Sequence, residues 1–180
     1  MARLLSFLSA LVLAAVVGLS PAGAQSTDPE NTLLLDLKDG QVVIRLRPDL
    51  APNHVARIKE LARKGFYDGI VFHRVIDGFM AQTGDPTGTG MGGSDLPDLK
   101  AEFSPEPFRR GTLGMARSQS PDSANSQFFI MFADGEWLNR QYTVFGEVVE
   151  GMEFVDNIKR GEPVQNPDKI VRMRVAADAN

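Results

Sequence analysis

The chain has 180 residues, with 23 acidic against 19 basic side chains, a formal charge of −4 and no cysteine. That composition excludes disulfides and thiol chemistry, and with no basic stripe it argues against a nucleic-acid backbone as partner. Two histidines, His54 and His73, are too few for a structural zinc site and leave little for a catalytic one, so no metal is expected.

Arg3 opens the chain ahead of an uncharged apolar run from Leu4 to Leu19, followed by Ala22-Gly23-Ala24. This pattern predicts a signal peptide over residues 1–24, cut before Gln25, and an exported mature chain. The rival is an uncleaved anchor, but the run is short of the roughly 20 residues a membrane span needs. Loss of Arg3 takes the formal charge from −4 to −5. Residues 25–31 are polar and predict a short tether, leaving 32–180 as a single domain.

Thr32 to Leu37 predicts a strand, and Gln41 to Leu46 its hairpin partner. The intervening Asp39-Gly40 suggests a tight turn with positive φ angles. Pro52 marks a helix start, Val55, Ile58, Leu61 and Ala62 recur at helical spacing, and Gly65 offers a stop. Further apolar, β-prone runs lie at 71–76, 79–83, 111–117, 127–132, 143–149 and 170–175, with a second helix predicted over 152–159. Eight short strands with two helices do not fit βαβ alternation. They predict a mainly β fold, a closed eight-stranded antiparallel barrel capped by two α-helices.

Several candidate sites dissolve on inspection. Gly88-Thr89-Gly90-Met91-Gly92-Gly93 matches G-x-G-x-x-G but opens no helix, since Ser94-Asp95-Leu96-Pro97 follows, and it predicts a flexible surface loop. His73 lies in an apolar strand and is expected as a hydrogen-bonded core residue rather than a base. No G-x-S-x-G elbow accompanies the scattered serines, which leaves hydrolysis a weak alternative. Asp36 and Asp39 are expected to be solvated. More informative are Arg74, Gln82 and Gln127, polar residues that interrupt apolar runs. Period-two alternation in Phe79-Met80-Ala81-Gln82 sets Phe79 and Ala81 on one face, and Met80 and Gln82 on the other.

Phe72-His73-Arg74-Val75-Ile76, Gly78-Phe79-Met80-Ala81-Gln82-x-Gly84-Asp85, Gly88-Thr89-Gly90 and Ser126-Gln127-Phe128-Phe129-Ile130 occur in that order. With Gly111 to Arg117 and Val144-Phe145-Gly146-x-Val148, they resemble the successive signatures of the cyclophilins, in the bacterial exported branch, from Thr32 to about Val175. The resemblance implies a peptidyl-prolyl cis-trans isomerase with a shallow groove on the outer face of its barrel. Carried over position by position, it implies Arg74 and Gln82 as catalytic residues. It implies Phe79, Met80, Ala116, Gln127, Phe129, Trp137, Leu138 and Tyr142 as the substrate-binding ones. Two positions depart from the best-known pattern: Tyr142 stands where histidine is frequent, and Arg117 replaces an asparagine.

Bond rotation breaks no covalent bond, so the reaction requires no cofactor. The implied partners are unfolded or partly folded exported polypeptides containing X-Pro bonds, met in the periplasm by a monomer, with no nucleic acid and no membrane after signal cleavage. Trp137 goes with inhibition by cyclosporin. The alternative within the family is a non-catalytic module that binds Pro-containing segments, which could dispense with Arg74.

Overall fold

The computed structural model describes residues 28–179, so the predicted signal peptide lies outside the described residues. The predicted tether is in part folded. Pro29–Asn31 forms a 3-10 turn capped by Asp28, and Glu30 reaches Lys59 and Arg63 at 2.6 and 2.8 Å.

Alternating burial along Thr32–Leu37 (β1) and Gly40–Leu46 (β2) sends every second side chain inward, as a pleated strand with one covered face must. Their turn is Lys38-Asp39, and Gly40 is already a strand residue paired with Leu37. None of the three has a positive φ, which corrects the expected Asp-Gly turn. Glycine at 40 makes room for a side chain instead: a Cβ there would lie 2.4 Å from the Phe154 ring, which would have to shift.

The first helix, Pro52–Arg63 (α1), buries Val55, Ile58, Leu61 and Ala62 and stops at Gly65, whose φ is +67°. Its N-terminus has no local side-chain cap. Glu102, from a distant loop, accepts instead from the Asn53 and His54 amides at 3.1 and 3.0 Å, satisfying orphan donors with a negative charge at the positive end of the helix.

Six further strands follow: Arg74–Ile76 (β3), Met80–Thr83 (β4), Thr112–Met115 (β5), Phe128–Met131 (β6), Val144–Glu150 (β7) and Arg172–Val175 (β8). The second helix is shorter than expected, Met152–Asp156 (α2), although Ile158 just beyond it is still buried. Every pairing is antiparallel, in the order β3-β4-β6-β5-β7-β2-β1-β8. Register shifts at Val43/Ile44 and Leu113/Gly114 help curl this sheet.

The curl falls short of the closed barrel expected. β3 and β8 are the ends of the ladder, and short irregular segments meet between them. Hydrogen bonds from Gly69 to Ile170, Ile170 to Ile70 and Phe72 to Asp168 (2.8–2.9 Å) stitch the seam, with isolated bridges at Val71/Lys169 and Val75/Gly161.

The concave side holds the main core, with Leu33, Leu35, Ile44, Phe72, Leu113, Phe128 and Phe145 packed against Ile58 of α1. A second, smaller cluster of Met80, Phe108, Phe129, Met131, Leu138 and Val144 is separate from it. Strand alternation divides the two: Ala81, Phe128 and Ile130 join the main core, while Met80, Phe129 and Met131 join the other. The site is built on that second cluster.

Candidate active site

Three neighbouring strands set the polar and apolar parts of the site side by side. β3 pairs Arg74 with Gln82, and β4 pairs Gln82 with Phe129. Phe129 is only 5% exposed, stacked on Phe108 at 5.7 Å and edge-on to Tyr142 at 5.9 Å. Both rings lie over Gly114, where a Cβ would come within 2.5 Å of Phe129 and 2.6 Å of Phe108. Glycine at 114 is therefore what lets Phe129 sit as the floor of a groove.

That groove, of about 410 Å³, is lined by Arg74, Phe79, Met80, Gln82, Ala116, Arg117, Phe129, Trp137, Leu138, Gln141 and Tyr142. Phe79 reaches it from outside the strand: its amide bonds to Ile76 O at 3.1 Å in the turn before β4, so strand alternation does not govern it. Trp137 stands on the rim, 60% exposed, on a 3-10 turn over Glu136–Leu138, with its ring 5.5 Å from that of Phe79. Gln127 is the one residue named from the sequence that does not line this groove. It lies in an adjoining, more polar hollow of about 450 Å³ that shares Gln82, Ala116 and Arg117 with it.

A relay of side chains explains where Gln127 belongs. Arg74 Nη1 points at Gln82 Oε1 from 3.4 Å, a long contact, and Gln82 Nε2 donates to Gln127 Oε1 at 2.9 Å. Gln127 Nε2 in turn donates to the carbonyls of Gly90 and Gly92 at 3.0 and 2.8 Å. On its other edge Arg74 donates from Nε to Glu162, forming an ion pair open to solvent. Glu162 follows Arg74 by 88 residues, outside any motif, and no local pattern announces it.

The glycine loop is anchored, contrary to the flexible loop expected. Asp85, almost fully buried, accepts from the Thr87 amide and hydroxyl at 2.8 Å and from the Thr89 and Gly90 amides at 3.1 and 2.6 Å. Burial pushes its carboxyl up, but the hydrogen bonds from Thr87 and the Gly92 and Gly90 amides outweigh it and hold the group down at about 2. Its ordinary value is 3.8, so the anchored anion contributes about 2 kcal/mol of stability. That contribution is present above pH 3.8 and is lost as pH falls towards 2. Urea unfolding should therefore show Asp85→Asn less stable than wild type by about 2 kcal/mol near neutrality, with the gap narrowing in acid. A gap of the same size at both pH values would sink this account.

His73 is buried, but neither ring nitrogen has a hydrogen-bond partner among the described residues, which corrects the expected bonded core histidine. It sits beneath Gly90 and outside the groove lining, and burial lowers its pKa, keeping the ring neutral. Asp36 is not simply solvated either: it is half-buried and accepts from Gln41 at 2.8 Å and Arg174 at 3.1 Å.

A groove with an apolar floor, two arginines in its lining and, among the described residues, no nucleophile paired to a base suits binding without bond breaking. The family model for "Cyclophilin type peptidyl-prolyl cis-trans isomerase/CLD" matches residues 32–175. A probable peptidyl-prolyl cis-trans isomerase of Brucella suis biovar 1 is 58% identical over 189 aligned positions, covering 94% of this chain and 96% of that one. Cyclophilin AquaCyp293 from Hirschia baltica superposes with a TM-score of 0.78 at 30% identity, over 84% of this chain and 76% of its own. A Cryptosporidium parvum cyclophilin type peptidyl-prolyl cis-trans isomerase, crystallised in the presence of the dipeptide Ala-Pro, gives 0.74 at 28% identity, over 80% and 98%. The chain belongs to the cyclophilin-type peptidyl-prolyl cis-trans isomerases. Its reaction is the interconversion of cis and trans peptide bonds that precede proline.

Proposed function

We propose that the groove holds the proline ring between Phe79, Met80, Phe129 and Leu138 and that Arg74 stabilises the twisted amide. The observation that carries this reading is the Arg74 guanidinium set beside the apolar side chains of Phe79, Met80, Phe129 and Leu138 in one groove, whereas the groove's other guanidinium, Arg117, is tied to backbone carbonyls. Rotation about the bond costs about 18–20 kcal/mol because the amide loses its resonance. A catalyst must bind that twisted form better than either planar one. With the ring fixed, the preceding carbonyl is the part that turns. As resonance fades, the proline nitrogen regains a lone pair and accepts a hydrogen bond that neither planar form can take.

Arg74 retains N–H groups beyond those given to Glu162 and Gln82. Gln82, held by Gln127, orients it, and Gln127 thereby acts through others rather than on substrate. Crystallisation of the Cryptosporidium relative with Ala-Pro is consistent with a proline pocket here. A protease-coupled isomerisation assay on purified residues 25–180 tests the reading, and an inactive but folded protein would reject it.

Trp137 on the rim further suggests that cyclosporin binds this groove and inhibits the enzyme. Titration should shift Trp137 fluorescence in step with lost activity, and since it is the chain's one tryptophan the signal is unambiguous. Inhibition without any spectral change would remove Trp137 from the site.

We also propose that the enzyme works outside the cytoplasm, in the periplasm, as a monomer on partly folded exported polypeptides. Support comes from the uncharged run Leu4 to Leu19 ahead of Ala22-Gly23-Ala24. Mass analysis of exported protein should find Gln25 at the N-terminus, whereas full-length chain in the membrane fraction would contradict it.

A further inference from the structure

We propose that Arg117 is a specificity-determining residue that favours X-Pro segments carrying an acidic side chain within two residues of the proline. The proposal rests on the reading of the groove as the substrate site. Arg117 lines both the groove and the polar hollow next to it, beside Ala116, which does the same. A segment whose proline fills the apolar pocket and whose chain continues into the hollow must pass this boundary.

The guanidinium is held in place there. Nε and Nη2 donate to the Gln141 carbonyl at 3.3 and 3.0 Å, and Nη1 to those of Ser118 and Gln119 at 2.9 and 3.3 Å. Its centre lies 4.5 Å from the Tyr142 ring centroid. Every one of these partners is neutral. Arg74 has Glu162 as counter-ion, whereas Arg117 forms no ion pair among the described residues. Four of its five N–H groups are engaged, so one on Nη2 and the whole positive charge remain for a ligand.

A carboxylate is the ligand that such a preorganised, uncompensated cation recognises best. The other charged groups on these two linings are Arg74, already paired, and Asp98, which accepts from Asn125 Nδ2 at 3.0 Å. The chain's net charge of −4 works against acidic ligands at long range, so a preference for them has to originate locally. For a partly exposed pair the expected discrimination is about two- to five-fold.

The test is a series of otherwise neutral X-Pro peptides with Glu, Gln or Lys one or two residues before the proline, or one after it. Wild type should show a kcat/KM for at least one Glu peptide about two- to five-fold above its Gln counterpart, shrinking in about 0.5 M salt as the charges are screened. Arg117→Gln should abolish that preference, Arg117→Glu should turn it towards Lys, and Arg117→Lys should keep it. A residue that merely fastens the 118–123 turn would lower all peptides alike. Equal rates for Glu and Gln peptides at every position in wild type overturn the proposal, whatever the variants do. Absence of turnover on any peptide overturns the reading of the groove itself, and the proposal with it.

Discussion

Arg74→Ala should lower kcat/KM by about 10²–10³ while leaving ground-state affinity for an X-Pro peptide nearly unchanged. The size is that of one preorganised donor aimed at charge that exists only in the transition state. Affinity persists because the variant leaves Phe79, Met80, Phe129 and Leu138 in place. Stability should also persist, since the ion pair lost with Glu162 is solvent-open and such pairs contribute about 1 kcal/mol at most. Arg74→Lys should rescue poorly. A point ammonium cannot hold Glu162, Gln82 and a twisted amide from three edges, as the planar fork can. Measured on one peptide, with folding checked by circular dichroism, normal turnover of Arg74→Ala would make Arg74 a structural strand residue.

The split between what the sequence disclosed and what it hid follows chain separation. All eight strands and both helices were legible from local apolar patterning, because burial on one face imposes period 2 or 3.6 on neighbouring residues. Arg74 and Gln82 stood out as polar interruptions of apolar runs, but their roles, and those of Met80 and Phe129, came from the resemblance to family motifs and not from local patterning. Phe79 defeated alternation because it belongs to a turn. Glu102 capping α1 and Glu162 holding Arg74 come from 48 and 88 residues away, where no local period operates. The barrel seam was hidden for the same reason: its bonds join residues 69–72 to 168–170, about a hundred positions apart.

The glycine loop shows a further source of opacity. Composition alone predicted flexibility, as glycine populates many backbone angles in an unfolded chain. Asp85 overrides that tendency by fixing the loop's amides from within, and Gln127 fixes its carbonyls from outside. Gly84 completes the arrangement. It has φ +90°, and a Cβ there would stand 2.4 Å from the Ser126 carbonyl, so only glycine brings the loop this close to the Ser126-Gln127 segment that leads into β6. A loop read as punctuation is thus the far end of the relay that reaches Arg74.

Phe129→Ala should damage the enzyme in a different way, and the contrast with Arg74→Ala separates pocket from catalyst. Phe129 is buried between Phe108 and Tyr142 and is part of the smaller core. Truncating it leaves a cavity under the groove, and buried Phe→Ala changes cost about 3–5 kcal/mol. That loss is a large share of the 5–15 kcal/mol of a typical domain, so the unfolding midpoint in urea should drop markedly. The proline ring loses its floor in both planar and twisted forms, so affinity and kcat/KM should fall together, unlike in Arg74→Ala. Phe129→Leu fills part of the space and should recover stability more than binding, because a branched aliphatic cannot reproduce the flat ring facing Tyr142 and Phe108. Both variants should be assayed below their unfolding midpoints, with peptide affinity measured alongside rate. If Phe129→Ala unfolds earlier yet binds and turns over peptide normally, Phe129 serves the core alone. The proline pocket would then have to lie elsewhere in the groove.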